Sequence, residues 1–172
     1  MFFELQNFNS LMSVDNGYFS RVGTLRCNDG SSYTGDWIEG RYHGKGVFIW
    51  GDNSNYSGEW YDGKMHGRGR YEYSDGSHYE GQFTEDTMHG EGVYTFSSGN
   101  IYKGSFYMGQ MHGKGELFRS DTGMYSSGEF ENGKKHGYMV ERDSSGNLIF
   151  EGYYYQGNRM DSTNEPVHPS VQ

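Results

Sequence analysis

Along the chain, short stretches place tyrosine, glycine and a larger ring at alternate positions, with polar residues between them: Tyr33-Thr34-Gly35-Asp36-Trp37, Tyr56-Ser57-Gly58-Glu59-Trp60, Tyr79-Glu80-Gly81-Gln82-Phe83 and Tyr102-Lys103-Gly104-Ser105-Phe106. A period of two with one apolar side is the pattern of a strand that buries a single face. A pair of turn residues follows, such as Glu39-Gly40, Asp62-Gly63 or Asn132-Gly133, and then a second run with rings two apart: Phe48 and Trp50, Tyr71 and Tyr73, Tyr94 and Phe96. The glycine-containing pairs suit positive φ, so each double run predicts a β-hairpin. Asp75-Gly76 or Ser98-Gly99 then turns the chain into the next one.

The hairpins repeat. Tyr33, Tyr56, Tyr79, Tyr102 and Tyr125 are spaced by 23 residues, and each of the first four is followed by Gly at place three, Trp or Phe at place five and HGxG at places eleven to fourteen. The fifth repeat, from Tyr125, carries one inserted residue and has Met139 for the last glycine; a sixth begins at Phe150 and stops, and a degenerate one starts near Ser10. This predicts an all-β fold, one elongated single-layer antiparallel sheet of about seven tandem hairpins over residues 10–160. Residues 1–9 are expected to form an N-terminal extension or cap, and 161–172 a flexible tail. Phe2, Leu5, Phe8 and Met12 recur at three- and four-residue intervals, the spacing of a short amphipathic helix, while Ser10 onward also reads as strand. His43-Gly44, His66-Gly67, His89-Gly90, His112-Gly113 and His136-Gly137 are read as structural turn residues, with Gly44 and Gly46 facing the ring side.

Composition narrows the function. With 14 Lys and Arg against 23 Asp and Glu, the net charge of −9 opposes binding to nucleic acid or to an anionic lipid surface. A single cysteine, Cys27, cannot form an internal disulfide, which favours the cytoplasm, and its ring place makes it a small buried hydrophobe. No apolar run approaches the ~18 residues of a membrane helix. The histidine ladder at one per repeat puts equivalent nitrogens about 10 Å apart, too far to share a metal ion, so no metal or cofactor is expected. Asp36 and Glu59 share place four, but Gln82 and Ser105 stand there in later repeats, so these carboxylates read as a solvated face. Lys45, Arg68 and Lys114 between glycines hint at phosphate recognition, yet Glu91 holds the same place and no helix N-terminus follows. No GxSxG, HExxH, P-loop or CxxC motif occurs, and no enzyme is predicted.

The segment YSGEWYDGKMHGRG from Tyr56, repeated at constant spacing over roughly residues 10–160, resembles the repeat of the MORN family. That resemblance implies a non-enzymatic scaffold in a cytoskeletal or membrane-proximal assembly, binding a partner segment or a second copy in a groove; a phospholipid or phosphoinositide adaptor is the alternative. A single sheet layer has nothing of its own to cover its aromatic face, so the expected partner-binding residues are Tyr33, Trp37, Tyr56, Trp60, Tyr79, Phe83, Tyr102 and Phe106.

Overall fold

The structure, a computed structural model, describes residues 12–15 and 18–160. The chain forms two compact bodies, Met1–Thr87 and Met88–Gln172, and the described residues contain strands and turns but no helix. The first body holds β1 (Met12–Asp15), β2 (Tyr18–Arg26), β3 (Ser32–Ile38), β4 (Arg41–Ile49), β5 (Asn55–Tyr61), β6 (Lys64–Glu72) and β7 (His78–Thr84). The second holds β8 (Thr87–Thr95), β9 (Ile101–Tyr107), β10 (Gln110–Arg119), β11 (Met124–Glu131), β12 (Lys134–Arg142), β13 (Leu148–Tyr155) and β14 (Asn158–Arg159). Within each body every strand pairs antiparallel with its sequence neighbours, a meander of tandem hairpins. The all-β prediction holds. The N-terminal cap or helix and the C-terminal tail lie outside the described residues.

Two kinds of turn alternate. From Glu39-Gly40 onward, each hairpin tip has positive φ at two successive residues, 49° and 78° at Glu39-Gly40 and 50° and 78° at Asn132-Gly133. This conformation gives the strands their proper twist. The third repeat adopts it without glycine, Glu85 and Asp86 standing at 47° and 66°. Successive tips are also stitched together: Gly63 N–H donates to Tyr42 O at 2.8 Å and Asp86 N–H to Met65 O at 3.0 Å. Asp86 Oδ1 in return accepts Met65 N–H at 2.8 Å. Between repeats, Asp29, Asp52 and Asp75 accept both the backbone N–H and the hydroxyl of the serine two residues on, at 2.9 and 2.6 Å. Such Asx turns reverse the chain before the next tyrosine.

The HGxG motif is a bulge inside the second strand and not a reversal of the chain. Gly35 pairs with Gly46 but Asp36 pairs with His43, so two residues of β4 are extra; β5 and β6 repeat this at Gly58-Gly69 and Glu59-His66. Gly44 takes φ of 58° there, and a Cβ would strike the Asp36 carboxylate, whereas a Cβ on Gly46 would strike the Tyr33 ring. The two glycines therefore face opposite sides. The parity expected from their two-residue spacing fails because the bulge changes it between them.

A candidate docking face

Tyrosine, glycine and bulge form one device. The Tyr33 ring lies flat over Gly35 and Gly46, where any side chain would collide with it. Its hydroxyl donates to Asp36 O at 2.9 Å, a carbonyl at the bulge. Tyr56, Tyr79 and Tyr102 repeat that bond to Glu59, Gln82 and Ser105 at 2.9, 3.0 and 3.1 Å. Burial of the rings, with Asp36 and Glu59 adding their charge beside Tyr33 and Tyr56, pushes the phenols of Tyr33, Tyr56 and Tyr102 well above their ordinary range, so these three stay neutral donors. The place-five ring stands edge-on to its tyrosine, Trp37 at 5.1 Å from Tyr33 and Trp60 at 5.1 Å from Tyr56. Both indoles donate back to a glycine carbonyl of the preceding repeat, Trp37 to Gly23 at 3.2 Å and Trp60 to Gly46 at 3.1 Å.

These residues were expected to be the contact surface, but they have little surface to offer. Tyr33, Tyr56, Tyr79 and Tyr102 are 0% exposed, and Trp60, Phe83 and Phe106 5, 3 and 4%. Of the eight, only Trp37 is half-buried. What reaches solvent on this face is carried by the second strands and the turns after them, at places ten, sixteen and eighteen. In the first body, half-buried Phe48, Trp50, Tyr71 and Tyr73 follow one another at centroid distances of 4.6, 5.1 and 4.5 Å. In the second, half-buried Tyr94 and Phe96 lie 4.7 Å apart. The seven buried rings, with Trp37 beside them, are the floor under this outer row. Spacing alone did not distinguish floor from surface, because both share one parity; the discriminating signal is the pair of glycines beneath the rings of Tyr33, Tyr56 and Tyr102.

The opposite face is polar, and its charges are locally matched. Lys45 stands directly across from Glu59 and Lys114 from Glu129, and where Ser105 replaces the acid its cross-strand neighbour is Glu91, which accepts its hydroxyl proton at 2.5 Å. The place-four acids are not merely solvated: Asp36 accepts Lys45 N–H at 2.8 Å and Glu59 accepts Arg68 N–H at 3.1 Å, closing the bulge. The histidines stack on exposed tyrosines of this face, His43 and His66 on either side of Tyr61 at 5.1 and 5.8 Å, and His89 and His112 flanking Tyr107 at 5.6 Å each. Among the described residues no group of His, Cys, Asp and Glu is arranged to hold a metal ion, and no helix is long and apolar enough to cross a membrane. Cys27 is half-buried at its ring place.

The hairpin device recurs at residues 33–55, 56–78, 79–101, 102–124 and 127–147, and each of these segments matches the MORN repeat. The chain belongs to the MORN repeat family. Comparison with curated proteins gave no match. MORN repeats are non-catalytic repeats that typically mediate contacts with proteins or membranes.

The fifth MORN repeat departs from the others in a way its sequence only half discloses. The inserted residue moves the frame on by one, so Ser126 and not Tyr125 takes the core tyrosine place: Ser126 is 1% exposed and Tyr125 53%. Met139, on the usual glycine, is 0% exposed, and its Sδ lies over Gly128 as the Tyr102 hydroxyl lies over Gly104. Large and small have changed places across the sheet. Glu141 stands where Leu117 and Tyr94 stand in earlier repeats and is 1% exposed. It accepts from Ser126 Oγ at 3.1 Å, Tyr154 Oη at 3.0 Å, Arg159 Nη2 at 2.5 Å and Lys135 Nζ. Burial works to raise its pKa, but the hydrogen bonds and charges of Lys135 and Arg159 outweigh it and hold Glu141 at about 2.

Proposed function

We propose that this chain is an interaction module that receives a segment of another protein along its aromatic face, within an intracellular assembly of cytoskeletal or membrane-proximal kind. The observation that carries this reading is the row of half-buried rings at places sixteen and eighteen, Phe48, Trp50, Tyr71 and Tyr73 above all, laid on a floor already complete without a partner. Tyr33, Trp37, Tyr56, Trp60, Tyr79, Phe83, Tyr102 and Phe106 support the contact by fixing that floor. Aromatic anchors of this size dominate protein interfaces when a partner desolvates them. A phospholipid adaptor is the weaker reading, since Lys45 and Lys114 face carboxylates and the chain carries −9.

Affinity capture from a cell lysate with the full chain, read by mass spectrometry, tests the proposal against two variants. Trp50→Ala with Tyr73→Ala removes rings from the row; Lys45→Gln alters the other face. A partner retained by wild type and Lys45→Gln, and bound about tenfold or more weakly by the ring variant, is the expected result. Equal retention by the ring variant would sink the aromatic-face reading. Flotation with anionic vesicles at physiological salt, abolished by Lys45→Gln, would favour the phospholipid reading instead.

A further inference from the structure

The residue at place ten changes character along the chain: Tyr42, Met65, Met88, Met111, then Lys135 and Arg159. Tyr42 shows its position, stacked on the Tyr33 ring at 4.0 Å and thus on the aromatic side of the sheet. Register keeps it there, Met111 opposite Phe106, Lys135 opposite Phe130 and Arg159 opposite Tyr154. In the second body the apolar face therefore runs into two cations. Between them lies one carboxylate, Glu141, which both contact and which has no exposed surface to speak of. Asp143, two residues on, spends its carboxylate on the N–H groups of Ser145 and Asn147 in its own turn. Lys135 and Arg159 against Glu141 leave a local charge of +1 at one end of an aromatic face, in a chain whose total is −9.

Arg159 is the accessible member. Its side chain is 40% exposed against 18% for Lys135. The guanidinium lies over the Phe150 ring at 4.4 Å, spends Nε on Tyr154 Oη at 2.9 Å and Nη2 on Glu141. A guanidinium has five N–H donors in a rigid plane, and among the described residues the Nη1 pair has no acceptor, so it remains for an incoming one. Held by the ring below and two oxygens on one edge, that pair is fixed before anything binds, which lowers the entropy cost of docking.

We propose that Arg159 reads a carboxylate side chain, Asp or Glu, in the segment that docks on the aromatic face; this rests on the docking reading above and specifies its partner. The acid sits at one end of an otherwise apolar or aromatic segment. Repeats advance about 10 Å and extended chain about 3.3 Å per residue, so the acid, two repeats on from β10, lies about six residues from the anchor over Met111. The carboxylate completes a charge-assisted hydrogen bond at a desolvated ring edge, where such bonds are strongest.

A phage-displayed library of random dodecapeptides, selected on the full chain, tests this. Wild type should enrich peptides that join aromatic or aliphatic residues to one Asp or Glu. Arg159→Gln should lose the acid preference while keeping the apolar one; Arg159→Lys should keep both. In the best peptide, replacing the acid by its amide should weaken binding to wild type by about tenfold, a readout that needs no protein variant. Apolar enrichment without an acid, acid enrichment that survives Arg159→Gln, or an amide peptide binding as well as the acid would overturn this proposal and leave the docking reading standing. No enrichment of any peptide would overturn both.

Discussion

Exchanging Ser126 and Met139 for the residues of the other repeats makes a sharp test of how the hairpin device is built. Met139→Gly deletes a fully buried side chain from above Gly128. Losing a buried methionine costs about 2–5 kcal/mol, and glycine in a strand adds about 0.5–1. Ser126→Tyr drives a ring into the space Met139 fills, an overpacking of about 1–3 kcal/mol. If the singles were independent, the double variant would lose about 3.5–9 kcal/mol. Together, however, they rebuild the Tyr102 and Gly115 arrangement, in which the ring lies over a bare glycine. What remains lost is Ser126 Oγ, which accepts from Lys135 at 2.7 Å and donates to Glu141. That leaves about 1–3 kcal/mol. The cycle should therefore show a favourable coupling of about 3 kcal/mol or more.

The assay must look at the right strands. Trp37, Trp50 and Trp60 all lie in the first body, so tryptophan fluorescence is blind to the fifth repeat, and a repeat array need not unfold in one step. Native-state hydrogen exchange on the amides of β11 and β12 reports the local opening free energy directly. Additivity of the two single costs within about 0.5 kcal/mol would refute the exchange of large and small across the sheet.

Two further outcomes follow from the geometry. Gly69→Ala places a methyl against the fully buried Tyr56 ring and should cost about 2 kcal/mol or more, whereas Gly63→Ala meets open space at φ of 82° and should cost only about 1; equal costs in denaturant unfolding would contradict the ring-on-glycine packing. Glu141 holds its proton only below about 2 when folded and near the ordinary 4.5 when unfolded, so its network contributes fully above that range and is lost as pH falls from about 4.5 to 2. The stability gap between wild type and Glu141→Gln should shrink by about 3 kcal/mol over that interval, and a gap independent of pH would remove the network's role.

Strand, turn and repeat were legible because each rests on a local signal: alternation, paired positive-φ residues and a constant 23-residue spacing. The bulge was not, since two extra residues in one strand show only when its partner strand is in place. From that single omission came the wrong facing of Gly44, the reading of HGxG as a turn, and the treatment of Asp36 and Glu59 as merely solvated when they bind Lys45 and Arg68 N–H. The frame of the fifth repeat was misplaced for a related reason. Tyr125 keeps the spacing, and the spacing outranked the inserted residue, but register puts Ser126 opposite Leu117 and sends Tyr125 to the other face. Glu141 was invisible for want of partners, which stand 6 and 18 residues away at Lys135 and Arg159.

The regular repeats separate places with a fixed task in the fold from places whose residue varies. Every residue common to the four regular repeats has an internal task that a substitution would leave undone: tyrosine satisfies the bulge carbonyl, one glycine admits its ring, another takes the bulge conformation, and histidine stacks on the polar-face tyrosines or lines the bulge. Places ten and eighteen have no such uniform task. Place ten runs from Tyr42 through three methionines to Lys135 and Arg159, and place eighteen from Cys27 through Trp50, Tyr73 and Phe96 to Arg119. Apart from Met65, which is buried, these places reach solvent on the aromatic face. Within the second body, a segment docked as proposed would meet methionine at Met88 and Met111 and cations at Lys135 and Arg159. On the proposed docking, this change would favour one register within the second body, because sliding by two repeats would bring the acid over Met111, and sliding by one would bring it over Lys135, whose charge Glu141 already engages.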